Sequence, residues 1–354
     1  MKLFVTLSVA AAAVVTTVQA SLIPATPTLH IFGDSLSDVG TLQKLTLGLL
    51  PPPPYWKGRF SSGPVWNEYL AKLRNYDLYN KAIGGSTSDN KNSALLDFSP
   101  IKLPVNIPST QDQINFFKAI KPLYAASLTR ASDIAVLEMF NLATNTLTVS
   151  SFVETLSNTV VAQLEQLRAI GFKNIIVADM AAIQYTPFAD ILDMQDMANA
   201  TVSLYNQQLA QKVNAWASSH AKDLSLFAIA EIGKFVEITA NSNAIQLALG
   251  LTNVKTSCVG GNVLNLVQAD NKLIALLQLL LDAKEDLMCS NPSTNYFFDF
   301  VHPAERIQRL FGYFSHEMIN AVQKGSTLAL TEDTILGLIK KYNLGTPAPK
   351  PVQV

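Results

Sequence analysis

An α/β fold, with a parallel sheet covered by helices on both faces, is what this sequence predicts on three observations. Five short apolar or β-branched runs alternate with helical segments, the order that builds a parallel sheet. The helical segments repeat apolar residues at intervals of three and four, as a helix with one buried face requires. Of the 354 residues, 49% are hydrophobic and only 15% charged, which supplies a large core and excludes a disordered chain.

Residues 29–32 are the first predicted strand and run into Gly33-Asp34-Ser35. Residues 78–83 are the second and run into Gly84-Gly85. Residues 134–140 are the third and run into Asn141; residues 173–180 and 224–230 complete the set. Helices are predicted over 111–119, 153–170, 193–219 and 303–322. In the second of these, Phe152, Leu156, Val160, Leu164 and Leu167 form one apolar stripe. Gly171 then stops the helix at the position where a left-handed cap is expected. Four prolines at 51–54 predict a stiff polyproline loop on the surface. One domain is expected over 26–325, followed by a partly loose extension over 326–354. Parallel sheets carry their sites at the carboxyl ends of the strands. The Ser35, Gly85 and Asn141 segments are therefore expected to converge at one edge.

A formal net charge of −1 points to neither nucleic acid nor an anionic membrane as partner. Met1-Lys2, an apolar stretch over 3–15 and Val18-Gln19-Ala20 read as a signal peptide, residues 1–20, removed on secretion. The apolar run is shorter than the ~20 residues of a spanning helix, so no stable membrane anchor is expected. Cys258 and Cys289 are the only cysteines and are expected to form a disulfide in an oxidising compartment. The bridge would close a loop around the apolar residues 273–281. No His or Cys stands at metal-ligand spacing near them, so neither metal nor cofactor is expected. Asn199-Ala200-Thr201 is a sequon for a glycan.

Serine-based ester hydrolysis needs a nucleophile, a base, a group that orients the base, and donors for an oxyanion. Ser35 follows a strand where the chain turns into a helix, which puts its hydroxyl at the sheet edge near backbone N–H groups. The alternative is an ordinary helix-capping residue. No Gly-x-Ser-x-Gly elbow surrounds it. Of four histidines, His30 lies within the first strand, His220 ends a polar helix toward solvent and His316 lies inside a helix. His302 differs, because Asp299 stands three residues before it and Pro303 follows. At that spacing the carboxylate can accept the Nδ1 proton and leave Nε2 free as a base. The alternative is a capping Asp299 beside an exposed His302. Gly84-Gly85 offers a backbone N–H at close approach, and Asn141 an amide. Trp56, Phe60 and Trp66 could line the mouth of the site or pack the core.

These blocks resemble those of the GDSL esterases and lipases, or SGNH hydrolases. Gly33-Asp34-Ser35-Leu36-Ser37-Asp38 is similar to the first block of that family, Asn80-Lys81-Ala82-Ile83-Gly84-Gly85-Ser86-Thr87-Ser88 to the second, and Asp299-Phe300-Val301-His302-Pro303 to the last. Gly58-Arg59-Phe60-Ser61-Ser62-Gly63-Pro64-Val65-Trp66 resembles a stretch of secreted fungal and oomycete members and of thermolabile-hemolysin-like lipases. The resemblance covers residues 29 to about 322. It implies a three-layer α/β/α sandwich like that of flavodoxin, with a five-stranded parallel sheet. It implies Ser35 as nucleophile, His302 as base and Asp299 as its partner, with Ser35, Gly85 and Asn141 forming the oxyanion hole. One block departs from the pattern. Where the family has Gly-x-Asn-Asp, this chain has Met139-Phe140-Asn141-Leu142.

The expected function is a secreted, monomeric hydrolase of carboxylic esters acting through an acyl-Ser35 intermediate. Lipid esters, acetylated carbohydrates and small esters remain open as substrates. The alternatives are a catalytically weakened binding or surface protein, motivated by the altered third block, and an acyltransferase.

Overall fold

The computed structural model describes residues 26–89, 95–96, 105–128, 134–137, 148–260 and 287–347. The expected signal peptide, the Met139-Phe140-Asn141-Leu142 block, residues 273–281 and the last seven residues lie outside them.

The chain begins with β1 (Thr28–Phe32), α1 (Thr41–Leu45), α2 (Trp66–Arg74) and β2 (Asp77–Asn80). A two-strand ribbon of β3 (Leu95–Leu96) and β4 (Val105–Asn106) precedes α3 (Thr110–Leu128) and β5 (Ile134–Leu137). Then follow α4 (Val149–Ile170), β6 (Asn174–Ala178), α5 (Pro187–Ile191), α6 (Gln195–Ser219) and β7 (Leu226–Ala230). The last part holds α7 (Ile232–Asn241), α8 (Asn243–Leu249), β8 (Asn253–Ser257), β9 (Asn295–Phe297), α9 (Glu305–Gln323) and α10 (Glu332–Tyr342).

Among the described residues the main sheet has five strands in the order β2-β1-β5-β6-β7, all parallel. Ranked along the chain this is 2-1-3-4-5, the flavodoxin-like order, and the direction of winding reverses between β1 and β5. Side chains on a strand alternate between faces, and here the alternation sorts the core into two layers. Leu29 and Ile31 of β1 and Ile176 and Ala178 of β6 pack with Trp66 and Leu70 of α2, Phe235 of α7 and Ile307, Leu310 and Phe314 of α9. Phe32, Ile175 and Val177 face the other way, onto Ile114 and Phe117 of α3, Val160 and Leu164 of α4 and Tyr205 and Leu209 of α6. The result is an α/β/α sandwich. A third cluster, with Leu42, Tyr55, Phe60, Ile83, Phe298 and Phe300, closes one end of the sheet.

Local signals place the ends of the helices. Thr148 accepts the Ser151 N–H at the start of α4, and Gly171 ends the helix at φ +113°, returning its N–H to Leu167 and Arg168. Two expectations change, at 51–54 and at His220. The 51–54 segment is not an extended polyproline helix, because the Tyr55 N–H donates to the Pro52 carbonyl at 3.1 Å and closes a turn. The first part of the 326–354 extension packs on the domain: Leu330, Ile335, Leu338, Ile339 and Leu344 join the main core, and Arg309 holds the Leu344 and Thr346 carbonyls. His220 lies half-buried against Trp216, with ring centroids 5.1 Å apart.

Candidate active site

The turn after β1 is built by its own block. The Asp34 Oδ1 accepts the Leu36 N–H at 3.0 Å and bends the chain around Ser35. Asp38 is buried and accepts four backbone N–H groups, from Gly40, Thr41 and Leu42 at the start of α1 and from Gly84 at 2.8 Å. Burial pushes the Asp38 carboxyl up, and the four N–H groups pull it back only in part. Their structural effect is to tie the Gly84-Gly85 turn to the Ser35 turn. The Ser37 carbonyl accepts Asn67 Nδ2 at 2.9 Å and Asn80 Nδ2 at 2.7 Å, which links the same two segments again.

Gln113 of α3 adds a clamp. Its Oε1 accepts the Gly33 N–H and its Nε2 donates to the Gly33 carbonyl, both at 2.9 Å. The same Nε2 donates to Ser86 Oγ at 2.9 Å. The backbone before Ser35 and the residue after Gly85 thus share one side chain. Gly85 has φ +80°, and a Cβ there would stand 2.8 Å from Ile107 Cδ1. A Cβ on Gly84 would overlap the Phe60 ring.

His302 comes from a tight turn between β9 and α9. Phe297 and Pro303 face each other across it, and the Phe298 N–H donates to the His302 carbonyl at 2.8 Å. Inside the turn, Asp299 Oδ1 accepts the Val301 N–H at 2.8 Å and the His302 N–H at 2.7 Å. Asp299 Oδ2 lies 2.7 Å from His302 Nδ1, and His302 Nε2 lies 2.6 Å from Ser35 Oγ. All three side chains are buried. Burial alone would raise the Asp299 carboxyl, but the His302 ring and the two backbone N–H groups outweigh it and hold the carboxyl below its ordinary value. The arrangement can move a proton from Ser35 Oγ to Nε2 and stabilise the resulting imidazolium through Nδ1.

The Cys258–Cys289 disulfide braces this turn from behind. Cys258 donates its N–H to the Phe297 carbonyl at 3.2 Å, and Val259 to the Phe298 carbonyl at 2.8 Å. Among the described residues there is no group of three His, Cys, Asp or Glu side chains fit for a metal ion. No helix among them is long and apolar enough to cross a membrane.

Of the candidate residues, Ser35, Asp299 and His302 meet directly. Gly85 is linked to them through Gly84, Asp38, Ser86 and Gln113, and Asn141 lies outside the described residues. Trp66 is in the core, with Nε1 donating to Ser37 Oγ at 3.0 Å. Phe60 is also buried, its ring 5.0 Å from that of His302, while Trp56 is half-buried under Lys57 and Arg59. Two residues escaped the sequence reading. Gln113 sits in an ordinary amphipathic helix, and nothing marks its amide. Tyr55, whose hydroxyl donates to Asp299 Oδ2 at 2.8 Å, was signalled only by the prolines before it.

A thermolabile hemolysin of Vibrio parahaemolyticus is 47% identical over 64 residues, 18% of this chain and 15% of its own. A phosphatidylcholine-sterol acyltransferase of Aeromonas hydrophila is 46% identical over 67 residues, 18% of this chain and 20% of its own. This chain thus aligns with no more than a fifth of either bacterial relative. A GDSL esterase/lipase of Arabidopsis thaliana is 25% identical over 329 residues, covering 80% of this chain and 84% of the plant protein. The profile of the GDSL-like Lipase/Acylhydrolase family matches residues 29–313, and the chain belongs to that family.

Proposed function

We propose that the protein hydrolyses carboxylic esters through an acyl-Ser35 intermediate. The observation that carries this reading is the unbroken line Asp299–His302–Ser35, with contacts of 2.7 and 2.6 Å. Ser35 Oγ attacks the ester carbonyl carbon while its proton passes to His302 Nε2. The carbonyl electron pair moves to oxygen. The Ser35 and Gly85 N–H groups and the Asn141 amide receive that charge, Asn141 on the family resemblance alone. The imidazolium returns its proton to the leaving alkoxide, and the alcohol departs. Water then attacks the acyl group with His302 again as base.

The name of the Aeromonas hydrophila relative, a phosphatidylcholine-sterol acyltransferase, favours a lipid ester as substrate and keeps acyl transfer to an alcohol as a second reading, since it uses the same intermediate. Secretion after removal of residues 1–20 is supported by the disulfide, which persists in oxidising compartments. A glycan on Asn199 is supported by its exposure on α6 and by Gln184 Nε2, which donates to Asn199 Oδ1 and leaves Nδ2 free.

The test is release of p-nitrophenol from esters of graded acyl length by the mature chain and by Ser35→Ala. Equal slow release by both would end the enzyme reading. A profile favouring long chains supports a lipid ester, and one favouring acetate a short-chain esterase. Esters formed from an added alcohol would report acyl transfer.

A further inference from the structure

The Asp299 carboxylate has four donors, and one of them is a side chain delivered from far along the chain. Oδ1 takes the Val301 and His302 N–H groups at 2.8 and 2.7 Å. Oδ2 takes His302 Nδ1 at 2.7 Å and the Tyr55 hydroxyl at 2.8 Å. Imidazole and phenol therefore compete for the same oxygen.

The loop that carries Tyr55 is built to hold it there. Its N–H closes the turn onto the Pro52 carbonyl, and the next N–H, of Trp56, donates to the Ser61 carbonyl at 3.1 Å. Ser61 Oγ in turn donates to the Pro303 carbonyl at 3.0 Å, on the residue after His302. The Tyr55 ring packs 5.3 Å from Phe298 and 5.7 Å from Phe60, and Phe60 lies against His302. The proline-rich loop thus grips the base, its partner and the ring beside them.

We infer that Tyr55 is a positioning residue: its hydroxyl fixes the rotation of the Asp299 carboxylate and draws electron density from Oδ2, the oxygen that faces His302 Nδ1. This rests on the assignment of His302 and Asp299 above. The phenol stays protonated, because burial and then the Asp299 charge both push its pKa well up. It acts as a donor and never as a base. The direction follows from electrostatics. A donor on the carboxylate spreads the negative charge that faces the ring, so taking the donor away strengthens the hold of Asp299 on the imidazolium, and a stronger donor weakens it.

Other charged groups on the surrounding elements are engaged elsewhere. Asp38 is held by its four N–H groups and Asp34 turns onto Leu36. Arg59 pairs with Glu68 at 2.6 Å. Glu305 faces Tyr69 and Arg309, and Asp190 of α5 accepts Gln195 Nε2 at 2.8 Å.

The experiment titrates the His302 ring by NMR in the full mature chain, which needs no turnover. In Tyr55→Phe, which keeps the packing ring, the His302 midpoint should rise by roughly half to one pH unit, a part of what one hydrogen bond to a charged group is worth. A fluorinated tyrosine at position 55, a stronger donor of nearly the same size, should move it the other way. Opposite shifts support the inference, and a midpoint unmoved in both proteins overturns it. If Tyr55→Phe does not fold, the fluorinated protein decides alone. Ester turnover, measured beside it, separates the two readings. A moved midpoint without turnover leaves the tyrosine's role and removes the hydrolase. Turnover with an unmoved midpoint does the reverse. With turnover, kcat should fall several-fold at unchanged KM, and the acid limb of the pH profile should follow the NMR midpoint.

Discussion

Asp299, beside the end of β1, and Asp179, just past the end of β6, are both carboxylates buried near the same edge of the sheet, and they titrate in opposite directions. Burial raises both. At Asp299 the imidazole and two backbone N–H groups overcome it and hold the carboxyl low. At Asp179 the Gly233 N–H, donating at 2.9 Å, offsets burial only in part, and the neighbouring Glu231 adds repulsion, so its pKa is pushed up to about 7. The surroundings differ as well. Asp299 is enclosed between the Tyr55 hydroxyl and the His302 ring, whereas Asp179 lines an open cleft of about 690 Å³ with Asn206, Glu231 and Lys234. Depth alone does not make a carboxylate useful to a base. What matters is a partner that can become cationic on the same oxygen.

The sharpest test separates the two ends by activity. Ser35→Ala or His302→Ala should lower kcat on the order of 10⁴–10⁶-fold, and Asp299→Asn on the order of 10⁴-fold. Asp179→Asn should leave kcat unchanged. A large loss in Asp179→Asn would erase the contrast.

A second test uses the disulfide behind the turn that carries Asp299 and His302. Replacing both cysteines by serine opens a 31-residue separation and should cost about 3–4 kcal/mol in urea unfolding. Amide exchange should quicken first at residues 296–302 and last at β6 and β7. Uniform loss of protection would mean that the bridge serves the whole sheet alike.

The third concerns pH. Asp179 keeps its proton in the folded state while the unfolded chain loses it from about pH 4 upward, so stability falls as pH rises from about 4 to about 7. Asp299 has the opposite sign, contributing stability above the ordinary carboxylate range that is lost as pH falls through its lowered value. Asp179→Asn should therefore stabilise the fold by roughly 1–3 kcal/mol at pH 8 and by almost nothing at pH 4, read from paired denaturation curves. An equal gain at both pH values would refute the assignment.

The smallest expected effect is Gly85→Ala, which forces a Cβ at φ +80° against Ile107 and should cost roughly 1–2 kcal/mol of stability while lowering kcat. Equal kcat in the variant would remove Gly85 from the oxyanion hole.

Much of the catalytic end could be read before folding. The Asp299–His302 contact follows from a spacing of three in a turn, and Gly171 was placed by the apolar stripe that it ends. The convergence of the Ser35 and Gly85 segments followed from strand direction. Tyr55 and Gln113 could not be read in this way. The hydroxyl of Tyr55 meets a carboxylate 244 positions later, and Gln113 reaches back 80 positions to Gly33. A tyrosine after prolines and a glutamine on a half-buried helix carry no local pattern that names such partners. The seat of the extension after residue 325 was hidden for a related reason: Leu330, Ile335 and Leu344 find a core surface made by other segments.

What depends on near neighbours was legible in the sequence: the alternation of strands and helices, the apolar face of each, the turn after β1 that carries Ser35 and the spacing that lets Asp299 reach His302. These follow from periodicity and short spacing, which act within a few residues. Only the tertiary structure decided that His302 reaches Ser35 across 267 positions, that Tyr55 shares the Asp299 oxygen, and that Asp179 stands apart beside a cleft. A period states which face of an element is apolar. The order in which the strands lie side by side decides what that face, and the loops beyond it, will touch.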